Sequence, residues 1–73
     1  MPAIQINKEP VELYKILKFE GLASSGAEAK QMISSGLVLL NGIVELQKSK
    51  KIMAQDVLTI GLDNYQIILH KGV

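Results

Sequence analysis

Apolar positions along this chain switch between strand and helix spacing, and each switch marks an element. Ile4 and Ile6 alternate with Ala3 and Gln5, which predicts a short first strand over 3–6. Leu13, Ile16 and Leu17, with Tyr14 beside them, then follow the i, i+3, i+4 rule of a buried helical face. The predicted helix runs from about Pro10 to Glu20, with Lys15 and Lys18 outward and Asn7 or Glu9 as its cap. Pro10 is tolerated in a first turn because the donor it lacks would be unpaired there anyway. Gly21 ends this helix, and the short link Leu22-Ala23-Ser24 makes the next one a close neighbour. Ala29, Met32 and Ile33 repeat the helical spacing over about Gly26–Ser35. Ser25 and Glu28 stand in the S-x-x-E relation of a capping box, which satisfies two orphan backbone donors reciprocally. Gly36 falls where a left-handed cap is wanted.

Strand patterning takes over after Gly36. Leu37–Leu40 and Ile43–Leu46 flank Asn41-Gly42, the strongest short signal for a two-residue hairpin. In that register Leu39 faces Val44 and Leu37 faces Leu46, which predicts one apolar face. Val38, Leu40 and Ile43 leave the opposite face only partly polar. A turn through Gln47–Lys51 leads to Ile52 and Met53. Two more strands, Val57–Ile60 and Tyr65–Leu69, are expected around a turn over 61–64. The predicted fold class is α+β: two packed helices on a small, mostly antiparallel sheet.

At 73 residues this is one small domain, which buries only about 60% of its unfolded surface. Cysteine is absent, so neither a disulfide framework nor a thiolate metal site can staple it. Packing must supply the stability, and an apolar fraction of 48% makes that feasible. No apolar run approaches the roughly 18 residues that suggest a membrane span. The opening MPAIQINKEP has neither a basic leader nor a signal-type apolar stretch. A soluble, cytoplasmic, complete chain is the expectation.

Catalysis is not expected, nor is a cofactor or a metal. His70 is the only histidine, with no acid or nucleophile near it in sequence. Asp56 and Asp63 fall where strands begin or end, as turn formers do. A phosphate-cradling G-x-x-x-x-G-K run, a nucleophile elbow and metal-ligand spacing are all missing.

Charge points to binding through its distribution. The net charge is only +1, and residues 1–35 balance four lysines against four glutamates. Residues 47–51, QKSKK, hold three lysines and no acid. If the second helix packs against the hairpin, Lys30 and Gln31 share a surface with Lys48, Lys50 and Lys51. The backbone donors at the start of that helix add a place for a phosphate oxygen. By spacing alone the run also reads as a solvated loop, and Lys30 as ordinary helix surface. Tyr14, Phe19 and Tyr65 occupy structural-looking positions, so an aromatic platform for single-stranded bases is not expected.

The run SSGAEAKQMISSGLVLLNGIVE, followed by KSKK, resembles the αL RNA-binding domain named after ribosomal small-subunit protein S-four. The matching features are Gly21-Leu22-Ala23-Ser24-Ser25, Ala29 and Ile33, Gly36-Leu37-Val38, Asn41-Gly42, Lys48–Lys51 and Asp56. They cover about residues 11–60, and the wording is most similar to small stand-alone bacterial members of the YbcJ type. The resemblance implies a non-enzymatic module for structured RNA. Ribosomal RNA or a ribosome-assembly intermediate is the first expectation, and transfer RNA the second. It implies Lys30, Lys48, Lys50 and Lys51 as phosphate contacts, Ser25 and Gly26 as hydroxyl or backbone donors, and Gln31 as a sugar or phosphate partner. Lys8 and Lys71 lie outside the motif and serve as reference positions. Three departures stand out. Gly26 occupies a position where larger members carry arginine, Gln55 replaces a glycine, and the chain has no arginine at all. Lysine lacks the planar fork that grips a phosphate bidentately, which implies modest affinity. The alternative reading is a protein-interaction module that keeps the fold with little RNA affinity, its partner a ribosomal or other protein. A membrane partner is not expected.

Overall fold

A computed structural model describes residues 1–70. The chain begins with β1 (Ala3–Ile6), a short β2 (Val11–Glu12), α1 (Leu13–Phe19) and α2 (Gly26–Ser34). It continues through β3 (Val38–Leu40), β4 (Ile43–Val44), β5 (Lys51–Ile52), β6 (Val57–Ile60) and β7 (Asp63–Leu69). The main sheet has the order β1-β7-β6-β3-β4, with β1 parallel to β7 and every other pair antiparallel. A second ribbon pairs β2 with β5. The two helices pack on each other and on one face of the sheet, around Leu13, Leu17, Ile33, Val38, Ile52, Leu58 and Ile67. This is the expected α+β class, with one parallel pair.

Both helices end in the same way. Gly21 and Gly36 adopt φ of 72° and 80°. At each end the two amides after the cap donate back into the last turn: Gly21 N to Lys18 O and Leu22 N to Leu17 O, then Gly36 N to Ile33 O and Leu37 N to Met32 O. These are Schellman motifs, which need a left-handed residue where the two glycines stand.

The first helix is shorter than its apolar spacing predicts. Val11 and Glu12 are extended and pair with Ile52 and Lys51. A β-branched residue after a proline favours that conformation, and Val11 gains the buried Ile52 as a neighbour. Neither Asn7 nor Glu9 caps α1. Glu12 is the cap residue, without a side-chain bond, and Leu13 N and Tyr14 N donate instead to Lys50 O and Lys48 O at 2.9 and 3.1 Å. The Glu9 carboxylate accepts from Ala54 N.

The Asn41-Gly42 turn has φ of 52° and 84°, the two positive values a type I′ turn requires. Leu39 faces Val44 as expected, but the buried face of the hairpin is the other one. Val38 is fully buried, whereas Leu37 and Val44 are half exposed. The neighbour β6 decides this. Its Leu58 and Ile60 pair with Leu40 and Val38, whereas Thr59 pairs with Leu39. Strand β4 also stops early, because the Glu45 carboxylate turns back to accept from Gln47 N. The Leu37–Leu46 pairing is therefore not formed within the ladder. The last hairpin is tighter than predicted: Ile60 faces Asp63 across Gly61-Leu62, and Gly61 has φ 64°.

Gln55 has φ 79°, the left-handed region where a side chain is strained. Its amide is fixed there by donating to Ile67 O at 2.8 Å. The family-like glycine at this position therefore has a physical reason. Gln55→Gly is expected to stabilise the domain by about 0.5–1 kcal/mol, after allowing for the greater chain entropy of glycine. That corresponds to a rise in Tm of roughly 2–8 °C. An unchanged or lower Tm in a thermal melt contradicts the strain.

Candidate nucleic-acid interface

The N-terminus of α2 is built by its neighbours in sequence. Ser25 Oγ accepts from Glu28 N at 3.1 Å, the predicted half of the capping box. The return bond differs from prediction. Glu28 reaches one residue further back and accepts from both Ser24 N and Ser24 Oγ, each at 2.9 Å. The backbone bond from Ser24, then its hydroxyl, holds the Glu28 carboxyl below its ordinary range. A depressed carboxyl stabilises the fold above its unfolded pKa, and this cap weakens as pH falls through the carboxylate range. Glu28 is thus committed to its own cap, and the Glu45 carboxylate accepts from the backbone of its loop. Among the described residues the one ion pair is Lys15–Glu12, at 2.9 Å. Lys30 and Lys48–Lys51 are left without a bridging acid.

Helix α2 lies mainly against α1, so the expected route from α2 to the basic turn through the hairpin is replaced by one through Tyr14. The Lys30 ammonium stands 4.6 Å from the centroid of the Tyr14 ring. This is cation–π range, and it orients an otherwise free side chain. A Cβ at Gly26 would stand 4.0 Å from Tyr14 Cδ2 and 3.9 Å from Lys18 Cδ, so the helix start lies directly over both. On its other side the Tyr14 amide holds the Lys48 carbonyl. Gly26 and Lys30 therefore lie against one half-buried aromatic ring, with Lys15 and Lys18 near it, and the Lys48 loop is tied to the backbone of the same residue. The i, i+4 spacing of Tyr14 and Lys18 carries that signal in the sequence, although the helical pattern alone assigns Tyr14 to the core and Lys18 to ordinary surface.

The other candidates are placed apart. Gln31 does not stand beside Lys30 but lines a shallow depression with Glu28, Met32, Ser35 and Leu37. Lys50 is half-buried, with its carbonyl on Leu13 N. Lys51 pairs across the ribbon with Glu12, whose carboxyl is held low first by Lys15, then by Ser49, with a smaller contribution from Lys51. Lys51 shares a depression of about 320 Å³ with Lys8 and Lys15, so Lys8 is not remote from the site. Lys71 lies outside the described residues. The amide of Asn41 is occupied inside the fold: Nδ2 donates to Asp56 Oδ1 and Oδ1 accepts from Val57 N. Among the described residues no cluster of histidine, cysteine and acids suits a metal ion, and no helix is long and apolar enough to cross a membrane.

Known proteins share this fold. A family model described as the S4 domain matches residues 4–68. YbcJ of Escherichia coli (strain K12) is 38% identical over 69 residues, which cover 93% of this chain and 99% of YbcJ. YbcJ of Shigella flexneri matches to the same extent. The solution structure of E. coli YbcJ, with an αL motif involved in RNA binding, superposes with a TM-score of 0.70 over 93% of this chain and 87% of that one. The 30S ribosomal protein S4e of Thermoplasma acidophilum also gives 0.70, at 22% identity, over 92% of this chain and 40% of that one. Identity that low carries the fold alone. The order of helices and hairpin, the match across residues 4–68 and the identity to YbcJ agree: the chain belongs to the S4 domain family.

Proposed function

We propose that this chain binds structured RNA without catalysing a reaction, through the lysine surface centred on Tyr14. The observation that carries the reading is the Lys30 ammonium over the Tyr14 ring, while the same residue holds the Lys48 loop by its backbone. On this reading the two basic segments, tied to one residue, act as one surface. Lys30, Lys48, Lys50 and Lys51 are assigned as phosphate contacts, with Ser25 and the amides at Gly26 as neutral donors at the helix start. Gln31 reaches a sugar or phosphate only at the margin of that surface. A-form RNA presents phosphates and 2′-hydroxyls to a small rigid protein and hides its base edges, which suits lysines without planar forks. Ribosomal RNA or an assembly intermediate is the preferred target and transfer RNA the second. The RNA-binding motif of YbcJ supports the class of partner. The cytoplasm is the compartment this role requires.

Binding is expected to be salt-sensitive. Three to four lysine–phosphate contacts give a log–log slope of about −2 to −3.5. Affinity then falls roughly 15- to 130-fold between 50 and 200 mM salt. Fluorescence titration of a structured RNA at several salt concentrations measures this slope. A flat response, or no binding in dilute buffer, supports the protein-interaction reading instead. The observation favouring that rival is the edge of the β3–β4 hairpin, where Leu37, Ile43, Val44 and Leu46 are half to three-quarters exposed.

A further inference from the structure

Phe19, the last residue of α1, is 69% exposed, against the expectation that it is structural. An isolated surface apolar residue is ordinary. Three features set this one apart.

The first is its cation. The Lys18 ammonium stands 5.7 Å from the Phe19 centroid, and the stem of the same lysine packs toward Gly26. Lys18 thereby joins the ring to the proposed RNA surface. The second is space. Phe19 borders two depressions, of about 340 and 320 Å³, and Lys8 and Val11 line both. The third is charge. On one side Lys8, Lys15 and Lys51 stand against a single acid, Glu12, which Lys15 already bridges. On the other side Lys8 is balanced by Glu20. The positive side is where an anionic backbone is favoured.

We infer that Phe19 is a stacking platform for one unpaired nucleotide, with Lys8 and Lys51 beside it to take the flanking phosphates. The platform rests on the RNA reading and extends it: the preferred target is a helix with a single-stranded extension or a bulge, not a plain duplex. Every base offers a π-face, so the contact adds affinity without demanding a sequence. The depression on the positive side takes the base against the ring.

The test compares two RNA hairpins, one blunt and one with a three-nucleotide unpaired extension, by fluorescence anisotropy at fixed salt. The extension is expected to tighten binding by the protein roughly 5- to 100-fold. Phe19→Ala is expected to abolish that gain and leave the blunt hairpin bound as before. The exposure of Phe19 makes this variant fold normally, which a thermal melt verifies. The chain has no tryptophan, so Phe19→Trp places a single indole at the platform. Its fluorescence is expected to be quenched by the extended hairpin and not by the blunt one. Equal affinity for the two RNAs, or an unquenched indole with the extended one, overturns the platform while leaving the RNA reading intact. If neither RNA binds, both readings fall. If an apolar peptide quenches the indole and the extended RNA does not, Phe19 is a protein contact.

Discussion

Changing Lys48, Lys50 and Lys51 together to serine is expected to weaken RNA binding about tenfold to a hundredfold at low salt. On a blunt hairpin the residual salt slope is expected to be about −0.7 to −0.9, from the one contact left at Lys30. A fourfold increase in salt then costs only about threefold in affinity. Adding Lys30→Ala should remove most of what remains. Fold stability should hardly change, because these side chains are exposed or half-buried and the bonds that fix α1 come from the Lys48 and Lys50 carbonyls, which serine also carries. Among single variants, Lys48→Ser should cost more than Lys51→Ser, since Lys51 faces Glu12 across the ribbon. Gly26→Arg is the reciprocal arm. A side chain there meets only ordinary contacts with Lys18 and Tyr14, and the added cation should steepen the slope by almost one unit. Titration across a salt series decides the matter: a triple variant with an unchanged slope removes these lysines from the interface.

The second large effect concerns Asn41. Its φ of 52° suits asparagine better than alanine, and its amide ties the hairpin to β6 through Asp56 and Val57 N. Asp56 in turn accepts from Met53 N, so one carboxylate joins the hairpin to the turn before β6. Asn41→Ala should lose both bonds and add backbone strain, about 2–3 kcal/mol in all. In a domain of this size that lowers Tm by roughly 10–20 °C. Asn41→Gly should be milder, because glycine keeps the turn and forfeits only the bonds. Calorimetry on the three proteins tests the order. Equal loss for both variants would mean that the left-handed backbone contributes nothing.

Local signals in the chain were sufficient for the elements that depend on local chemistry. Gly21, Gly36 and Asn41-Gly42 each mark a backbone conformation that few other residues tolerate, and each stands where its turn occurs. Long-range pairing escaped the same reading. Val11 and Glu12 fit the first turn of a helix, and only Ile52 and Lys51, some forty positions later, draw them into a ribbon. The buried face of the hairpin was likewise set by Leu58 and Ile60, residues the hairpin pattern does not contain. At the candidate site, the second helix and the lysine run were visible separately. Their connection through Tyr14 was not, because it combines a ring contact on one side with a backbone bond on the other. Gln31 follows Lys30 directly in sequence yet turns about 100° from it around the helix, which places it in a different depression.

Residue-resolved NMR during titration with a structured RNA hairpin tests the central claim most directly. Amide shifts are expected to concentrate at Tyr14, Lys18, Ser25–Lys30 and Lys48–Lys51, and to fade as salt is raised. Amides on the far face of the sheet, such as those of Thr59, Asn64 and Gln66, should stay in place. Shifts confined to Leu37 and Ile43–Leu46, or no shifts at any salt, would contradict an RNA interface built around Tyr14.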